Sequence, residues 1–491
     1  MNRAFFIFLL GIGVLIIVVA AVLMTITMKK ATDQPGELPE RFIHDKEISH
    51  FDLATFRERR QRVLDEMDAD ILILSAGAGN DFRYLTGLDE RRGIAVITPE
   101  AAEKYRLFVT PWDVYTVMWT GEVYGTKGAR ERFGADAAYA LADFDEMLPD
   151  MLSDKEQIYI HDKDDQIKDK IRSVLREQRR QADLTDMAPV LHEHRIFKDN
   201  WEIGQLRHAA DVTVKAHQYV LETVAPGQAE YEVQAEIEYI FRRHGMGPGF
   251  SSIVGSGPNT CLLHHTRNDR VLQDGDLLLM DVGAKSPGGY TADITRTIPV
   301  NGKFTPEQKT IYNLVLKANR EAEKKMKPGF RMLDCHHHAT DILVEGLHEM
   351  GLIPDTTKWW QKRFYIQHRL NHFIGLQVHD VGEYDFDTDK RNEHILTQEI
   401  RGREIQPGMV MTNEPGLYFM EGLLDGIHEM FGHLASDEEL NAFVEEVRPV
   451  YEQYEGIGVR IEDDILITDN GNVNLSTDAP KTIEAIERAM K

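Results

Sequence analysis

The sequence predicts an α+β protein of two folded domains behind an apolar N-terminal segment. Three observations lead there. The chain has 491 residues, more than one hydrophobic core ordinarily serves. Between residues 48 and 190, apolar strand-like runs alternate with helical stretches, the pattern of an α/β layer. Over 191–491, amphipathic helices mix with short apolar strands that end in carboxylates. With 42% apolar and 28% charged residues, the chain has the composition of a packed body and not of a disordered one.

The first element is residues 4–28, which contain no charged side chain. At ~1.5 Å per residue this stretch reaches roughly 37 Å, enough for a hydrocarbon core of ~30 Å. A cleaved signal usually has an apolar region of only about 7–15 residues, so an uncleaved transmembrane anchor is expected. Val18-Val19-Ala20 offers a weak cleavage site. Flanking cations nearly tie, with Arg3 and the α-amino group facing Lys29-Lys30, so the positive-inside rule gives no orientation. A single N-terminal anchor ahead of a soluble body is commonly a signal-anchor, which puts the body on the periplasmic or extracellular side. Residues 29–47 follow as a polar tether in which Pro35 and Pro39 oppose a helix.

In the domain at 48–190, Ile71-Leu72-Ile73-Leu74 and residues 93–98, 106–110 and 157–161 read as strands, and 169–180 as a helix. The domain at 191–491 opens with a helix whose apolar stripe is Ile203, Leu206, Ala210, Val214, His217, Leu221 and Val224, ended by Pro226-Gly227. His217 on that stripe reads as a packing residue. Val233, Ile237 and Phe241 mark a second helix that ends near Gly245. Ser436-Asp437-Glu438-Glu439 is a capping box ahead of Leu440, Phe443, Val444 and Val447.

Leu277-Leu278-Leu279-Met280 reads as a buried strand with Asp281 at its end. Pro287-Gly288-Gly289 marks a turn, and 290–300 alternates as a strand with Thr291, Asp293 and Thr295 on one face. Such a hairpin folds Asp293 back beside Asp281. Residues 409–413 form a third strand, with Glu414 where Pro415-Gly416 stops it. Residues 459–467 read as one strand that carries Arg460 and Glu462 on one face. A lone carboxylate is ordinarily a solvated turn residue. Here they gather at the ends of apolar strands, where burial without a cation is costly. With His372 they make a hard, oxygen-rich donor set that suits two divalent cations better than one zinc. Four carboxylates neutralise two dications and leave room for a bridging hydroxide, the nucleophile of a two-metal hydrolase.

Other features exclude rival chemistries. His428 and His433 sit five positions apart, about 140° around a helix at 100° per residue, so they cannot share a zinc in the manner of a zincin. Cys335-His336-His337-His338 diverges around a helix and reads as packing. Cys261 has no evident base beside it, which argues against a cysteine nucleophile. Two cysteines without a C-x-x-C spacing give no disulfide framework. The net charge of −25 and the lack of a basic stripe exclude a nucleic-acid binder.

In order and flanking words (LLHHTRND, DGDLLLMDVG, ADITRTIPVNGKFT, VHDVG, PGMVMTNEPGLY, GIGVRIEDDILIT), the stretch from about Arg195 onward resembles the pita-bread metallopeptidases. The branch it resembles is that of aminopeptidase P and prolidase. Asp81-Phe82-Arg83-Tyr84-Leu85-Thr86-Gly87 and Met118-Trp119-Thr120-Gly121 resemble, more weakly, the creatinase-type N-terminal domain of the same family. The resemblance implies a C-terminal pita-bread catalytic domain preceded by a smaller α/β domain. It implies that Asp281 is a terminal ligand of one metal, that His372 and Glu414 hold the other, and that Asp293 and Glu462 bridge them. Glu414 would also take the proton of the bridging water. His264 and His379 would contact substrate and stabilise the tetrahedral intermediate, His368 would line the pocket, and Arg460 would support the ligands. Two divalent ions per chain are expected, Mn²⁺ first, with Zn²⁺ or Co²⁺ as substitutes. Trp119 is either a contact in a homo-oligomer or a core residue.

The implied activity is release of the N-terminal residue from peptides with proline in second position. A prolidase-type Xaa-Pro dipeptidase is the alternative within the enzymes, and a non-catalytic pita-bread binding protein is the alternative outside them. Two features favour the aminopeptidase. Arg460 is the one arginine placed near the ligands, where it pairs with carboxylates in preference to a substrate terminus. The acidic insertion at 419–455, longer than usual for the family, would repel a second substrate carboxylate if it overhangs the cleft as a lid or rim. The two aspartates are also one position further apart than the family's usual eleven, which the Pro-Gly-Gly turn can absorb.

Overall fold

The structure, a computed structural model, describes residues 52–121, 123–385 and 400–491. The expected anchor (4–28) and tether (29–47) lie outside the described residues. Among the described residues, no helix is long and apolar enough to cross a membrane.

The N-terminal layer is a six-stranded sheet built from β1 (Ile71–Ser75), β2 (Gly93–Ile97), β3 (Tyr105–Val109), β4 (Ala137–Ala140), β5 (Gln157–Ile160) and β6 (Asp183–Asp186), in the order β4-β3-β2-β1-β5-β6. Strand β1 runs antiparallel to β2 and parallel to β5. Alternation divides its side chains between two covered faces. Ile71 and Ile73 pack with Phe108, Phe144 and Ile158 on one side. Leu72 and Leu74 pack with Leu107 and Val109 on the other. The four expected strands are present, and β4 and β6 are additional. Both are short edge strands, AAYA and DLTD, without the apolar run that marks a central strand. The helix expected over 169–180 starts earlier, at Asp165–Glu177, because Asp164 caps it.

The second face of this sheet continues as one apolar cluster into Leu206, Ala210 and Val214 of the helix Asn200–Thr223, and on to Tyr290, Ile294 and Ile374. The two expected domains thus share a core and form one compact unit. The boundary placed at 190 falls inside the helix Ala188–Ile196. Trp119 is 71% exposed, which removes its reading as a core residue.

The remaining strands are β7 (Gly247–Pro248), β8 (Ile253–Ser256), β9 (Leu277–Val282), β10 (Ala284–Lys285), β11 (Ile294–Pro299), β12 (Val410–Asn413), β13 (Gly416–Tyr418), β14 (Gly458–Arg460), β15 (Asp463–Thr468) and β16 (Gly471–Asn474). Strand β9 lies between β8 and β11, β15 between β12 and β16, while β13 pairs β14 and β7 pairs β10. In register, Asp281 of β9 faces Thr295 of β11. The single strand expected over 459–467 is two strands in different sheets, because the chain crosses at Ile461-Glu462. Strand β11 holds the backbone there: the Glu462 N–H donates to Thr295 O at 3.1 Å, and Arg296 Nη1 donates to Glu462 O at 2.6 Å.

The insertion is helical at Ile427–Phe431 and Asp437–Tyr451, the second helix opened by the expected Ser436 capping box. It packs through aromatic rings onto the helix Trp359–Tyr365, with Phe443 5.1 Å from Trp360 and 5.7 Å from Phe364. The insertion therefore buttresses the segment leading to His368.

Gly283 separates β9 from β10, and a Cβ there would sit 1.7 Å from the Ala292 carbonyl oxygen. Only glycine allows the backbone before Asp293 to approach this closely. Gly283→Ala is expected to lower stability in urea by about 1–3 kcal/mol, the usual range for forced overpacking. An unchanged unfolding midpoint would show that the hairpin yields without cost.

Candidate metal centre

Asp281, Asp293, His372, Glu414 and Glu462 come from four separated stretches of chain and line one cavity of about 450 Å³. His264, His368, His379 and Arg460 line it too. A larger cavity, about 520 Å³, is lined by Arg91, Lys163 and Asp164 among others and holds none of the expected site residues.

Each side chain is set by its element. Asp281 ends the apolar run of β9, and Asp293 precedes β11, its N–H donating to Asp464 Oδ2 at 3.1 Å. Glu414 follows β12, where its N–H donates to Leu370 O at 2.9 Å and Thr412 Oγ1 donates to its Oε1 at 3.3 Å. Glu462 sits at the crossing from β14 to β15 and accepts from Thr295 Oγ1 at 2.6 Å. Ligand atoms of Asp293, His372 and Glu462 lie within 4.8 Å of one another.

His372 Nδ1 lies 3.0 Å from the Phe373 carbonyl oxygen, which can only accept, so Nδ1 carries the proton. Its Nε2 lone pair is left facing Asp293 Oδ2 at 3.4 Å and Glu414 Oε1 at 3.6 Å. That is the tautomer a metal-ligating histidine needs. Arg460 fans out behind the carboxylates: Nη2 donates to Asp281 Oδ2 at 2.5 Å, Nε to Thr295 Oγ1 at 3.2 Å and Nη1 to Tyr418 OH at 2.9 Å. The Tyr418 hydroxyl then donates to His368 Nε2 at 2.8 Å, since His368 Nδ1 gives its own proton to Arg369 O at 2.9 Å.

The electrostatics call for cations. Burial first, then the Asp281 charge, pushes the Glu414 carboxyl up to about 8, and Arg460 only partly offsets this. Burial and the charges of Glu462 and Asp281 hold Asp293 well above the carboxylate range, and burial with Glu414 and Asp281 does the same to Glu462. Burial, and then His379, lowers His372 to about 3, so it is a neutral donor. Asp281 Oδ1 and Asp293 Oδ1 are buried and accept no hydrogen bond. Buried acceptors left open beside crowded carboxylates are the donor set of hard divalent ions. The residues fit such ions.

Some functional neighbours escaped the sequence reading. Arg369 also lines the cavity, so Arg460 is not the one arginine beside the carboxylates. No signal marked Arg369 beyond its place three residues before His372. The described residues of the acidic insertion line none of this cavity, which removes the repulsion inferred from them. The His cluster on the helix Met332–Glu349 packs as expected, and His336 Nδ1 also accepts from the Leu370 N–H at 3.3 Å. Cys261 and Cys335 are buried, and burial pushes each thiol up to about 12, so neither is a nucleophile. His428 is held at the surface by Asp437 and Asn441, with ring nitrogens 3.0 Å from each.

Comparison with known proteins gives the family. Residues 204–469 match Metallopeptidase family M24, and residues 56–160 match the N-terminal domain of aminopeptidase P. The chain is 34% identical to an Xaa-Pro aminopeptidase of Escherichia coli over 90% of its own length and 99% of the relative's. It is 32% identical to a human Xaa-Pro dipeptidase, with 83% of each chain covered. Among solved structures, an E. coli aminopeptidase P variant in complex with substrate superposes with a TM-score of 0.77 at 34% identity, covering 90% of this chain and 99% of that one. A Pseudomonas aeruginosa aminopeptidase gives 0.76 at 32% identity, covering 90% and 98%. An α/β sheet ahead of a pita-bread body is thus the architecture of a known group, and the chain belongs to metallopeptidase family M24.

Proposed function

We propose that this protein is a dinuclear metallopeptidase that releases the N-terminal residue from peptides with proline in second position. The observation that carries the reading is the convergence of five ligand-type side chains, three further histidines and Arg460 on one cavity. An Xaa-Pro bond has no amide N–H, so a peptidase that reads that group handles it poorly. This cavity offers a charged floor and imidazole walls that need no such donor.

Asp281, Asp293, His372, Glu414 and Glu462 would hold two divalent ions, with Mn²⁺ as the proposed native metal. When bound, such ions supply an activated water at neutral pH and polarise the scissile carbonyl. The chain's own groups do the rest. Glu414 takes up the proton released by the activated water. His264 and His379 face the substrate and stabilise charge that develops at the carbonyl oxygen. Arg460 holds Asp281 in place, and the Tyr418–His368 pair fixes the wall beside Glu414. Elemental analysis after reconstitution should find about two metals per chain, and Asp293→Ala should lose both. One metal in a fully active wild type would contradict the dinuclear reading.

The aminopeptidase reading is supported by near-complete coverage of the E. coli relative. Arg369 favours the dipeptidase alternative, because a cavity cation can receive a substrate carboxylate. On matched substrates, kcat/KM for Xaa-Pro-Yaa tripeptides should equal or exceed that for Xaa-Pro dipeptides. Cleavage confined to dipeptides would establish the alternative.

For location, the proposal is that residues 4–28 anchor the protein and that its body faces away from the cytoplasm, with exposed Trp119 a contact in a homo-oligomer. Protease added to spheroplasts should digest the body, whereas complete protection of a membrane-bound protein would reverse the orientation.

A further inference from the structure

The Asp81-Phe82-Arg83-Tyr84-Leu85-Thr86-Gly87 motif forms the helix Asn80–Thr86, part of the N-terminal layer, and it is docked against two loops of the metal centre. Asn80 Nδ2 donates to Leu376 O at 3.2 Å, and Arg83 Nη2 donates to Pro287 O at 2.9 Å. Between them, Asp81 Oδ1 accepts from Arg195 Nη1 at 2.8 Å, and the other arm of the same guanidinium binds Asp380 Oδ1. Asp380 follows His379 directly, and its N–H donates to Phe373 O at 2.9 Å, closing the loop that carries His379. All three charged groups are buried. Asp380 Oδ2 fills the space a side chain on Gly375 would need, 2.0 Å from that position, so the loop has no slack there.

Asp81 also faces His161 and His192, with Nε2 atoms 2.9 Å and 3.0 Å from its Oδ2, which raises the question of a second metal site. The hydrogen bonds answer it. His161 Nδ1 accepts from the Lys163 N–H at 3.1 Å, so its Nε2 bears the proton and donates to Asp81. A protonated Nε2 cannot ligate a metal. The cluster is instead a set of donors that fixes one carboxylate. Burial opposes its charge, but His161, His192 and Arg195 hold the Asp81 carboxyl well below the usual range.

We propose that Asp81 is a positioning residue for the hydrolysis, acting through Arg195 and Asp380 to fix the loop that presents His379 to substrate. The N-terminal layer is then part of the catalytic apparatus although none of its described residues lines the cavity. A buried guanidinium that bridges two carboxylates with one arm on each is directional, and without its Asp81 end the Arg195 arm on Asp380 is no longer aimed, leaving Asp380 with Lys198 Nζ at 3.6 Å. His379 packs edge-on against His372 with ring centroids 4.5 Å apart, and a shift of its loop moves it off the substrate.

The proposal rests on the functional reading above, and the test separates the two. In a double-mutant cycle of Asp81→Asn and His379→Ala on an Xaa-Pro-Yaa peptide, Asp81→Asn alone should lower kcat roughly 10- to 100-fold with KM little changed. Placed on His379→Ala, it should cost less than about threefold, because the residue it positions is gone. Asp81→Glu should recover part of the loss, and metal content should stay at the wild-type value throughout. A crystal structure of Asp81→Asn should show residues 376–380 displaced with the metal ligands in place. Additive losses in the cycle, or an unmoved His379, would overturn the proposal. Should Asp81→Asn fail to fold, the same cycle on Asp81→Glu decides. A wild type inactive on Xaa-Pro peptides would remove the functional reading, and the crystal structure would still decide whether Asp81 sets the loop.

Discussion

The structure turns on the burial of four carboxylates in one cavity with two arginines. Asp281, Asp293, Glu414 and Glu462 share that cavity with Arg369 and Arg460, and Arg460 donates to Asp281. Two guanidiniums cannot neutralise four negative charges, and removing each from water without a partner costs several kcal/mol. The fold is arranged to make that burial unavoidable. Pairing of β9 with β11 sets Asp281 opposite Thr295 and leaves Asp293 just ahead of β11, the β12 end presents Glu414, and the crossing from β14 to β15 presents Glu462. The same oxygen-rich donor set that makes the metal-free site unfavourable suits hard divalent ions.

Rigidity around the carboxylates comes from groups that touch no substrate. Arg296 and Lys481 bind Asp463 with distances of 2.7 Å each, and Asn319 ties β12 to β14 through bonds to Asn413 O and Ile461 O. Glu230 accepts from Ser256, Asn259, His265 and Arg270, which fixes the loop carrying His264. On the opposite side, the helix Asn80–Thr86 fixes the loop carrying His379. The two imidazoles proposed to meet substrate, His264 and His379, are thus each on a loop held by a buried carboxylate, Glu230 for one and Asp81 of the N-terminal layer for the other.

Much of this was legible in the sequence because it is local. An apolar run that ends near Asp281 and a strand that ends just before Glu414 are both read within ten residues, whereas the strand expected over 290–300 begins only at Ile294 and leaves Asp293 ahead of it. What escaped reading depends on distant partners. The break at Glu462 is imposed by Thr295 and Arg296, more than 160 positions earlier. β4 and β6 owe their strand state to a neighbouring strand and not to their own side chains. Arg369 and the insertion were misjudged because exposure to a cavity is a tertiary property, and the insertion's acidic residues conceal an aromatic face. Asp81 is legible only as part of a motif that resembles the family, since nothing in its own stretch names Arg195 or Asp380.

The central claim, that cations stabilise the buried carboxylates, is tested most directly by unfolding free energy against pH with and without Mn²⁺. Without metal, the folded state holds Glu414 protonated up to about pH 8, whereas the unfolded chain releases that proton near pH 4.5. The folded state then binds more protons, so stability is fully present below the unfolded value and is lost as pH rises through the folded one. Asp293 and Glu462, shifted in the same direction, add to the loss. Below about pH 6.5 the buried neutral His372 and His368 oppose this trend, so the account predicts that metal-free protein weakens between about pH 6.5 and 8, and that Mn²⁺ stabilises it increasingly over that window. Metal-free stability that is flat or rising across the window, with no gain from metal, would contradict it.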